Sequence, residues 1–360
     1  MAIDCAVILA GGKGTRLRPL TSNKPKPLVP VTLTPMIDFT IKQIRDAGIK
    51  KIIVAVKYLG EQIKDYLTTS PHFDDLEITI PDIDPIGTAD AVRKIADSID
   101  GDFIVSMADI VCNLKVKDIM KFYKRTDSYA SISLKNVNFP TKKFGVIILD
   151  KNQNIEIFLE KPRPEEMLFT TLAFAYRSVS EFHQNLVNTG LYIFKNKVLE
   201  ILDSFNDIND FGQELFPYLL QEKFKLTGFV DEYYWIDCGN IRSYLWANWD
   251  ILRGFVDGFY PPGNFDKGSW FGKNLQKSED VRIISPVVIG DNVILENGAT
   301  IGPYSVLHND VAIQEKCRID HSVVWEKSNI GKFSHVHNSV ICNNVNVEDN
   351  RTIINFSAIS

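Results

Sequence analysis

Hydrophobic and polar positions follow two different rules along this chain. From Cys5 to Ala10 the residues are uninterruptedly apolar, the pattern of a strand buried on both faces of a parallel sheet. Pro19, Pro25, Pro27 and Pro30 then forbid a long helix, so the next segment reads as an extended loop. Thr34 and Pro35 read as N-cap and first residue of a helix that carries Ile37, Ile41 and Ile44 on one face and closes at Gly48. The pattern predicts strand 51–56, helix 60–67, strand 76–80, helix 88–98 and strand 103–107 in succession. Such alternation specifies a wound, Rossmann-like α/β sheet that takes ligands at the carboxyl ends of its strands. Predicted strands near 129–134, 144–149, 154–159 and 189–194 make the sheet mixed. Helices near 196–204 and 211–221 and a strand over 224–230 return to the core.

Beyond residue 253 the periodicity disappears. Residues 254–277 are rich in Gly, Pro and Asn, so 254–280 is expected to be a linker after a first domain over 1–253. A second rule then begins. Ile289, Leu295, Ile301, Leu307, Ile313 and Ile319 stand six apart, and the fifth position of each hexad is small or slender: Val293, Ala299, Ser305, Val311, Cys317 and Val323. Neither a helix nor a flat strand has that period, whereas a left-handed parallel β-helix with one hexad per face does. Residues 281–360 are expected to form it. After Trp325 the anchors continue as Ile330, Val336, Ile341, Val347 and Ile353, with five-residue steps read as irregular corners.

Composition narrows the partners. The chain has 360 residues and a formal charge of −5 without a Lys/Arg block, which speaks against nucleic acid and leaves anion binding to local clusters of cations. Five scattered cysteines without a C-x-x-C pair argue against zinc ribbons and a disulfide framework and fit a reducing cytoplasm. No apolar stretch approaches membrane-spanning length, so a soluble protein without a membrane partner is expected.

The candidate chemistry centres on residues 9–28. Gly11, Gly12 and Gly14 let backbone N–H groups approach an anion, and Arg16 and Lys26 add a planar fork and a point charge suited to phosphoryl oxygens. The order of residues fits neither a Walker A loop, since Lys13 precedes Gly14, nor a dinucleotide turn opening into a helix. Asp109, just past a predicted strand, and Asp237, in Trp235-Ile236-Asp237-Cys238-Gly239, are carboxylates that with phosphate oxygens would make an ordinary Mg²⁺ site. Lys161 in Glu160-Lys161-Pro162 offers a contact for a second phosphate, and Asn188-Thr189-Gly190 offers amides for hydroxyls.

These stretches carry a resemblance. Gly-Gly-x-Gly-Thr-Arg-Leu-x-Pro-Leu-Thr followed by Pro-Lys-Pro over 11–27, with Gly87-Thr88-Ala89, Asp109, Phe144-Gly145-Val146, Glu160-Lys161-Pro162, Asn188-Thr189-Gly190 and Trp235-Ile236-Asp237, resembles the sugar-1-phosphate nucleotidyltransferases over residues 3–250. The hexad tail is similar to that of the mannose-1-phosphate guanylyltransferase and glucose-1-phosphate adenylyltransferase branches. The resemblance implies that Gly11, Gly12, Gly14, Thr15 and Arg16 bind the triphosphate, Lys26 assists catalysis, and Gly87 and Thr88 border base and ribose. It assigns Mg²⁺ to Asp109 and Asp237, the sugar phosphate to Lys161, and the sugar hydroxyls to Gly145, Glu160 and Asn188. A nucleoside triphosphate and a sugar-1-phosphate are the implied substrates, and a homo-oligomer the implied assembly.

Within the family the resemblance leaves alternatives. The turn at 85–90 lacks the glutamine of the thymidylyl branch, which favours a purine, and GTP with mannose-1-phosphate is the expected pair. Thymidylyl, uridylyl or adenylyl transfer to glucose-1-phosphate is the alternative. A catalytically silent regulatory subunit is a further reading, against which Arg16, Lys26 and both aspartates are all present. An acyltransferase activity of the β-helix would use His335 or His337 as base. The aromatic stretch 163–185 reads as a lid or an oligomer contact.

Overall fold

The structure of the chain, a computed structural model, describes residues 3–137, 146–159 and 186–360. Packing divides the chain into two compact units, each assembled from separated segments. The first comprises Met1–Gly11, Thr40–Ala108 and Leu114–Trp235, the second Gly12–Phe39, Asp109–Asn113 and Ile236–Ser360.

The first unit is built on a nine-stranded mixed sheet. Its strands are β1 (Ile3–Ala10), β2 (Lys51–Val56), β3 (Glu77–Thr79), β4 (Asp102–Met107), β5 (Ala130–Asn136), β6 (Val146–Leu149), β7 (Ile155–Leu159), β8 (Leu186–Phe194) and β9 (Leu226–Val230). Along the main path they lie in the order β7-β6-β8-β4-β1-β2-β3, with β5 also on β8 and β9 on β5. The strand with the apolar run Cys5–Ala10 takes the central place, flanked by β4 and β2, and its one polar residue, Asp4, lies exposed near the start of the strand. Cys5, Val7, Phe103, Val105, Phe194 and Phe216 belong to its core. The sheet is mixed, as expected: β8 runs antiparallel to β4 and β5, and β7 to β6.

Two local departures have clear causes. Thr34 and Pro35 do not open a helix. They pair with Pro30 and Val31 in a short hairpin whose turn residues Thr32 and Leu33 have φ of 47° and 73°, and the helix starts at Met36. The helix predicted over 88–98 stops at Arg93 and resumes as a 3-10 turn over Ala96–Ser98. Two helices outside the expectations, Val116–Thr126 and Ile241–Leu252, are also present. The second is announced by a capping box: Asn240 Oδ1 accepts from Ser243 N at 3.0 Å, and Ser243 Oγ accepts from Asn240 N at 3.3 Å.

In the second unit, residues from 269 to the end form a β-helix of short parallel strands in three sheets, with Asn264–Asp266 added antiparallel at its edge. All six leading anchors and all six slender fifth positions are buried, and the anchors with Val293, Ala299, Val311 and Cys317 share one inward core, whereas Val323, opposite Val306, falls on the other face of its strand from the core residue Val324. Side chains join residues 18 apart in the first coils, as from Asn292 to Asp310, and 17 apart later, as from Asn329 to Asn346. That lost residue is the irregularity seen in the anchors after Trp325. Strands Asn264–Asp266, Ser269–Phe271 and Gln276–Lys277 also join these ladders, so the pairing begins inside the stretch expected as linker, where its few apolar residues had hidden it. Among the described residues no helix is long and apolar enough to cross a membrane.

Ile313 is fully buried midway along the β-helix. Ile313→Ala is expected to cost about 2–5 kcal/mol by leaving a cavity the coils cannot close. Denaturant titration of the variant, with an unchanged slope and a shifted midpoint, checks this.

Candidate active site

The glycine loop lies in the second unit from Gly12 onward, and its geometry is set by two devices. Gly14 adopts φ +59°, and a Cβ there would stand 3.1 Å from both Lys26 Cβ and Thr21 Cγ2, so a side chain would be strained and crowded. Thr21 Oγ1 donates to Gly14 O at 2.8 Å and closes the loop on itself. The 3-10 turn Thr15–Leu17 buries Leu17 and leaves the Arg16 side chain largely in solvent. At Gly12 an added Cβ would meet nothing, so its backbone is open to a ligand. Gly11 ends the strand segment of the first unit.

Lys26 occupies a second 3-10 turn, Lys26–Leu28, with Pro25 and Pro27 fixing the backbone around it. The residue is only 5% exposed. Its Nζ donates to Asp109 Oδ2 at 2.7 Å and to Asp237 Oδ1 at 3.1 Å. Burial works against its charge, but the two carboxylates outweigh it and raise the ammonium well above its ordinary range. The carboxylates converge because Ile110–Cys112, directly after Asp109, pairs with Trp235–Asp237. Arg16 Nη2 stands 3.8 Å from Asp237 Oδ2, and a Cβ on Gly239 would come within 3.0 Å of that oxygen and 3.2 Å of the guanidinium nitrogen. The glycine after Cys238 therefore keeps this contact free. Cys238 itself is fully buried, and burial raises its thiol far above the reactive range.

Two carboxylates thus face two cations, and their formal charges balance. A cluster that already gathers two aspartates on one ammonium suits a hard divalent cation with phosphate oxygens, since its donors are all carboxylate oxygen. It can accept a polyanion together with that cation without leaving a buried charge unpaired.

The remaining candidates lie elsewhere in the fold. In the first unit, Gly87 is required by packing: a Cβ would come 2.2 Å from Asn209 O. The Thr88 hydroxyl donates to Asp210 Oδ2 at 3.1 Å and accepts from Phe211 N at 2.9 Å, which leaves its backbone rather than its side chain for a ligand. Asn188 Nδ2 donates to Tyr192 OH at 2.8 Å, and Asn188 Oδ1 accepts from Gly190 N at 3.0 Å. Gly145, Glu160, Lys161 and the aromatic stretch 163–185 lie outside the described residues.

Residues the motifs did not reveal hold the loop in place. Tyr244, on the Ile241–Leu252 helix, donates from its hydroxyl to Pro30 O at 2.7 Å and accepts from Trp325 Nε1 at 3.0 Å. Asn248 Oδ1 accepts from Thr32 N at 2.8 Å. Lys24, two residues before Lys26, pairs with Glu326 at 3.3 Å and lies 5.2 Å from the centre of a Trp325 ring. Burial opposes the charge of Glu326, but Lys24 outweighs it and holds the carboxyl below its ordinary value. The only local hint was Trp325, a bulky residue at the point where the hexad register changes.

The chain matches the model of the nucleotidyl transferase family over residues 5–254 and that of the GMPPB C-terminal domain over 283–360. It is 30% identical over 341 residues to a UTP--glucose-1-phosphate uridylyltransferase of Synechocystis sp., covering 91% of this chain and 84% of that protein. It is 28% identical over 350 residues to a probable mannose-1-phosphate guanylyltransferase 3 of Oryza sativa subsp. japonica, with 93% and 85% covered. A bifunctional protein GlmU of Methanocaldococcus jannaschii is 29% identical over 369 residues, with 95% and 78% covered.

His308 reports on the packing beneath Glu326. It is buried, with Nδ1 3.7 Å from Glu326 Oε2, and burial lowers its imidazole from 6.5 to about 4 despite that carboxylate. The unfolded chain therefore gains a proton as the pH falls through 6.5, and the folded chain does not until about 4. Stability from this group is whole above the upper value and drains across the window, by a total on the order of 3 kcal/mol. His308→Gln is expected to flatten the loss of stability between pH 7 and pH 5, measured by urea midpoints at each pH. Parallel curves for the two proteins would contradict it.

Proposed function

Because the chain belongs to the nucleotidyl transferase family, as a sugar-1-phosphate nucleotidyltransferase, we propose that it joins GTP to mannose-1-phosphate, giving GDP-mannose and pyrophosphate. The transfer of a nucleotidyl group from a nucleoside triphosphate to a sugar-1-phosphate is the activity of the family. The choice of sugar and base rests on one observation, the match of residues 283–360 to the GMPPB C-terminal domain, and gains weight from relatives named as mannose-1-phosphate guanylyltransferases. Uridylyl transfer to glucose-1-phosphate is the second reading, favoured by the relative from Synechocystis sp..

Charge dictates the mechanism. The sugar phosphate brings an oxygen that is already anionic near neutral pH, so it attacks the α-phosphorus in line without a general base, and the bond to pyrophosphate breaks. Repulsion between two polyanions is the main barrier. The open backbone at Gly12 and the loop at Gly14 and Thr15 receive the triphosphate, with Gly11 at their head, and Arg16, on an exposed side chain, meets the charge that builds on the leaving group. Lys26, held charged by its two carboxylates, lies in the same cluster and stabilises charge on the transferring phosphoryl group. Asp109 and Asp237 would hold Mg²⁺, which when bound supplies further neutralisation of the phosphate oxygens. Gly87 and the Thr88 backbone would border the base and ribose, and Asn188, with Gly145 and Glu160, the sugar. Lys161 would meet the sugar phosphate. A silent subunit is disfavoured because Lys26, Asp109 and Asp237 are present and joined in one cluster. We further place the protein in the cytoplasm as a homo-oligomer with no nucleic-acid partner, in line with its buried free cysteines and its acidic balance.

Asp109→Asn and Asp237→Asn are each expected to lower turnover at least about 100-fold at saturating Mg²⁺ while circular dichroism stays unchanged. Near-normal rates in either would remove that aspartate from the site. For the substrates, release of pyrophosphate is scored across a panel of nucleoside triphosphates and sugar-1-phosphates. GTP with mannose-1-phosphate should give the highest kcat/KM, and a preference for UTP with glucose-1-phosphate would establish the second reading.

A further inference from the structure

The β-helix carries a cluster of chemistry that the transferase reaction does not use. Strands Arg318–Asp320 and His335–His337 lie on neighbouring coils in parallel register, with Ile319 opposite Val336 and Asp320 opposite His337. Ile319 and Val336 are fully buried in the core, so by the alternation of a strand their neighbours face outward. Asp320 is nevertheless 4% exposed, because three imidazoles cover it. His321 reaches it from the corner that ends the first strand, where the backbone has φ 51°, as at most corners of this helix.

The two carboxylate oxygens have different surroundings. Oδ1 takes a hydrogen bond from His335 Nε2 at 2.9 Å and stands 3.3 Å from Arg318 Nε, which fixes the plane of the carboxylate. Oδ2 faces His337 Nδ1 at 2.6 Å and His321 Nδ1 at 3.3 Å. These three atoms, Asp320 Oδ2, His321 Nδ1 and His337 Nδ1, all lie within 4.8 Å of one another.

We propose that Asp320, His321 and His337 form a binding site for a transition-type divalent cation, Zn²⁺ in the first instance, bridging two coils of the β-helix. Two imidazole nitrogens and one carboxylate oxygen are the donors that borderline ions such as Zn²⁺ prefer, whereas Mg²⁺ and Ca²⁺ select oxygen alone. Bond lengths of roughly 2.0–2.2 Å around a tetrahedral centre put donor atoms a little over 3 Å apart, so the contact to His321 already has that spacing, the one to His337 must open by under about 1 Å, and the two imidazole nitrogens close by at most about 1.5 Å. Three protein ligands leave one position for water or an exchangeable ligand. Coordination also needs outer contacts that orient the ligands, and these are present. His335 and Arg318 hold Oδ1, and Asn338 Nδ2 lies 2.8 Å from His337 Nε2. Binding through Nδ1 transfers the proton of His337 to Nε2, and a half-turn of the Asn338 amide presents an oxygen to accept it. The partly exposed rings of His321 and His337 give the ion a path from solvent.

The test uses the whole chain, stripped with a chelator and dialysed into millimolar Mg²⁺ so that hard-oxygen sites are saturated. At about 10 µM free Zn²⁺ it should retain one equivalent by atomic absorption, and its thermal midpoint should rise. Co²⁺ in place of Zn²⁺ should give visible absorption bands of a four- or five-coordinate nitrogen–oxygen site. The double variant His321→Gln/His337→Gln should lose the equivalent and the bands, and Asp237→Asn should keep both. The proposal is overturned if the wild type retains no stoichiometric Zn²⁺, if the double variant retains as much as the wild type, or if Asp237→Asn abolishes the binding. Should the double variant not fold, the Co²⁺ spectrum of the wild type decides: bands of a six-coordinate all-oxygen ion would overturn the site as firmly.

Discussion

One buried ammonium organises the second unit. Lys26 could not remain charged at 5% exposure without compensation, and Asp109 and Asp237 supply it from positions 83 and 211 residues away. Each group makes the others tolerable: the carboxylates would repel one another without the cation, and the cation would lose its proton without them. The proline-fixed turn, the pairing of Ile110–Cys112 with Trp235–Asp237 and the clearance at Gly239 all serve to place these three groups. A charge-balanced cluster of this kind is preorganised, which is what a phosphoryl-transfer site needs if charge is to be stabilised without reorganisation.

The same unit shows why the β-helix is more than an appendage. Its Trp325 and Glu326 reach back to Tyr244 and Lys24, so the backbone at Pro30 and the segment leading to Lys26 are tied to the coils by two independent contacts. The loop from Gly11 to Leu28 has no regular secondary structure of its own beyond single turns. A loop of that kind gains its rigidity from what it is packed against.

Much of this was legible in the sequence, and the reason differs by region. The hexads could be read because an inward-facing residue every sixth position is a local pattern that survives without knowledge of the partner coil, and all six leading anchors are buried. The glycine loop stood out because three glycines fall within four positions with Arg16 and Lys26 close behind. Asp109 and Asp237 were legible as carboxylates, but their convergence on Lys26 depends on a strand pairing across more than a hundred residues, which no window of sequence contains. Tyr244, Asn248 and Glu326 were invisible for the same reason: nothing local marks a buried tyrosine as the acceptor for a tryptophan 81 residues on. Thr34 and Pro35 misled because a threonine before a proline serves a hairpin as readily as a helix start, and only the pairing with Pro30 and Val31 decides between them.

The discontinuity of the second unit bears on how the protein is made. Translation delivers the glycine loop within the first tenth of the chain, yet the partner of Lys24 lies 302 residues further on. The sheet of the first unit can close while the ribosome is still working, since its strands all precede residue 231. The loop must wait for its bracing contacts until Trp325 and Glu326 emerge. The contacts that brace the loop are then among the later ones the nascent chain acquires, and a chain that terminates before residue 325 lacks both of them.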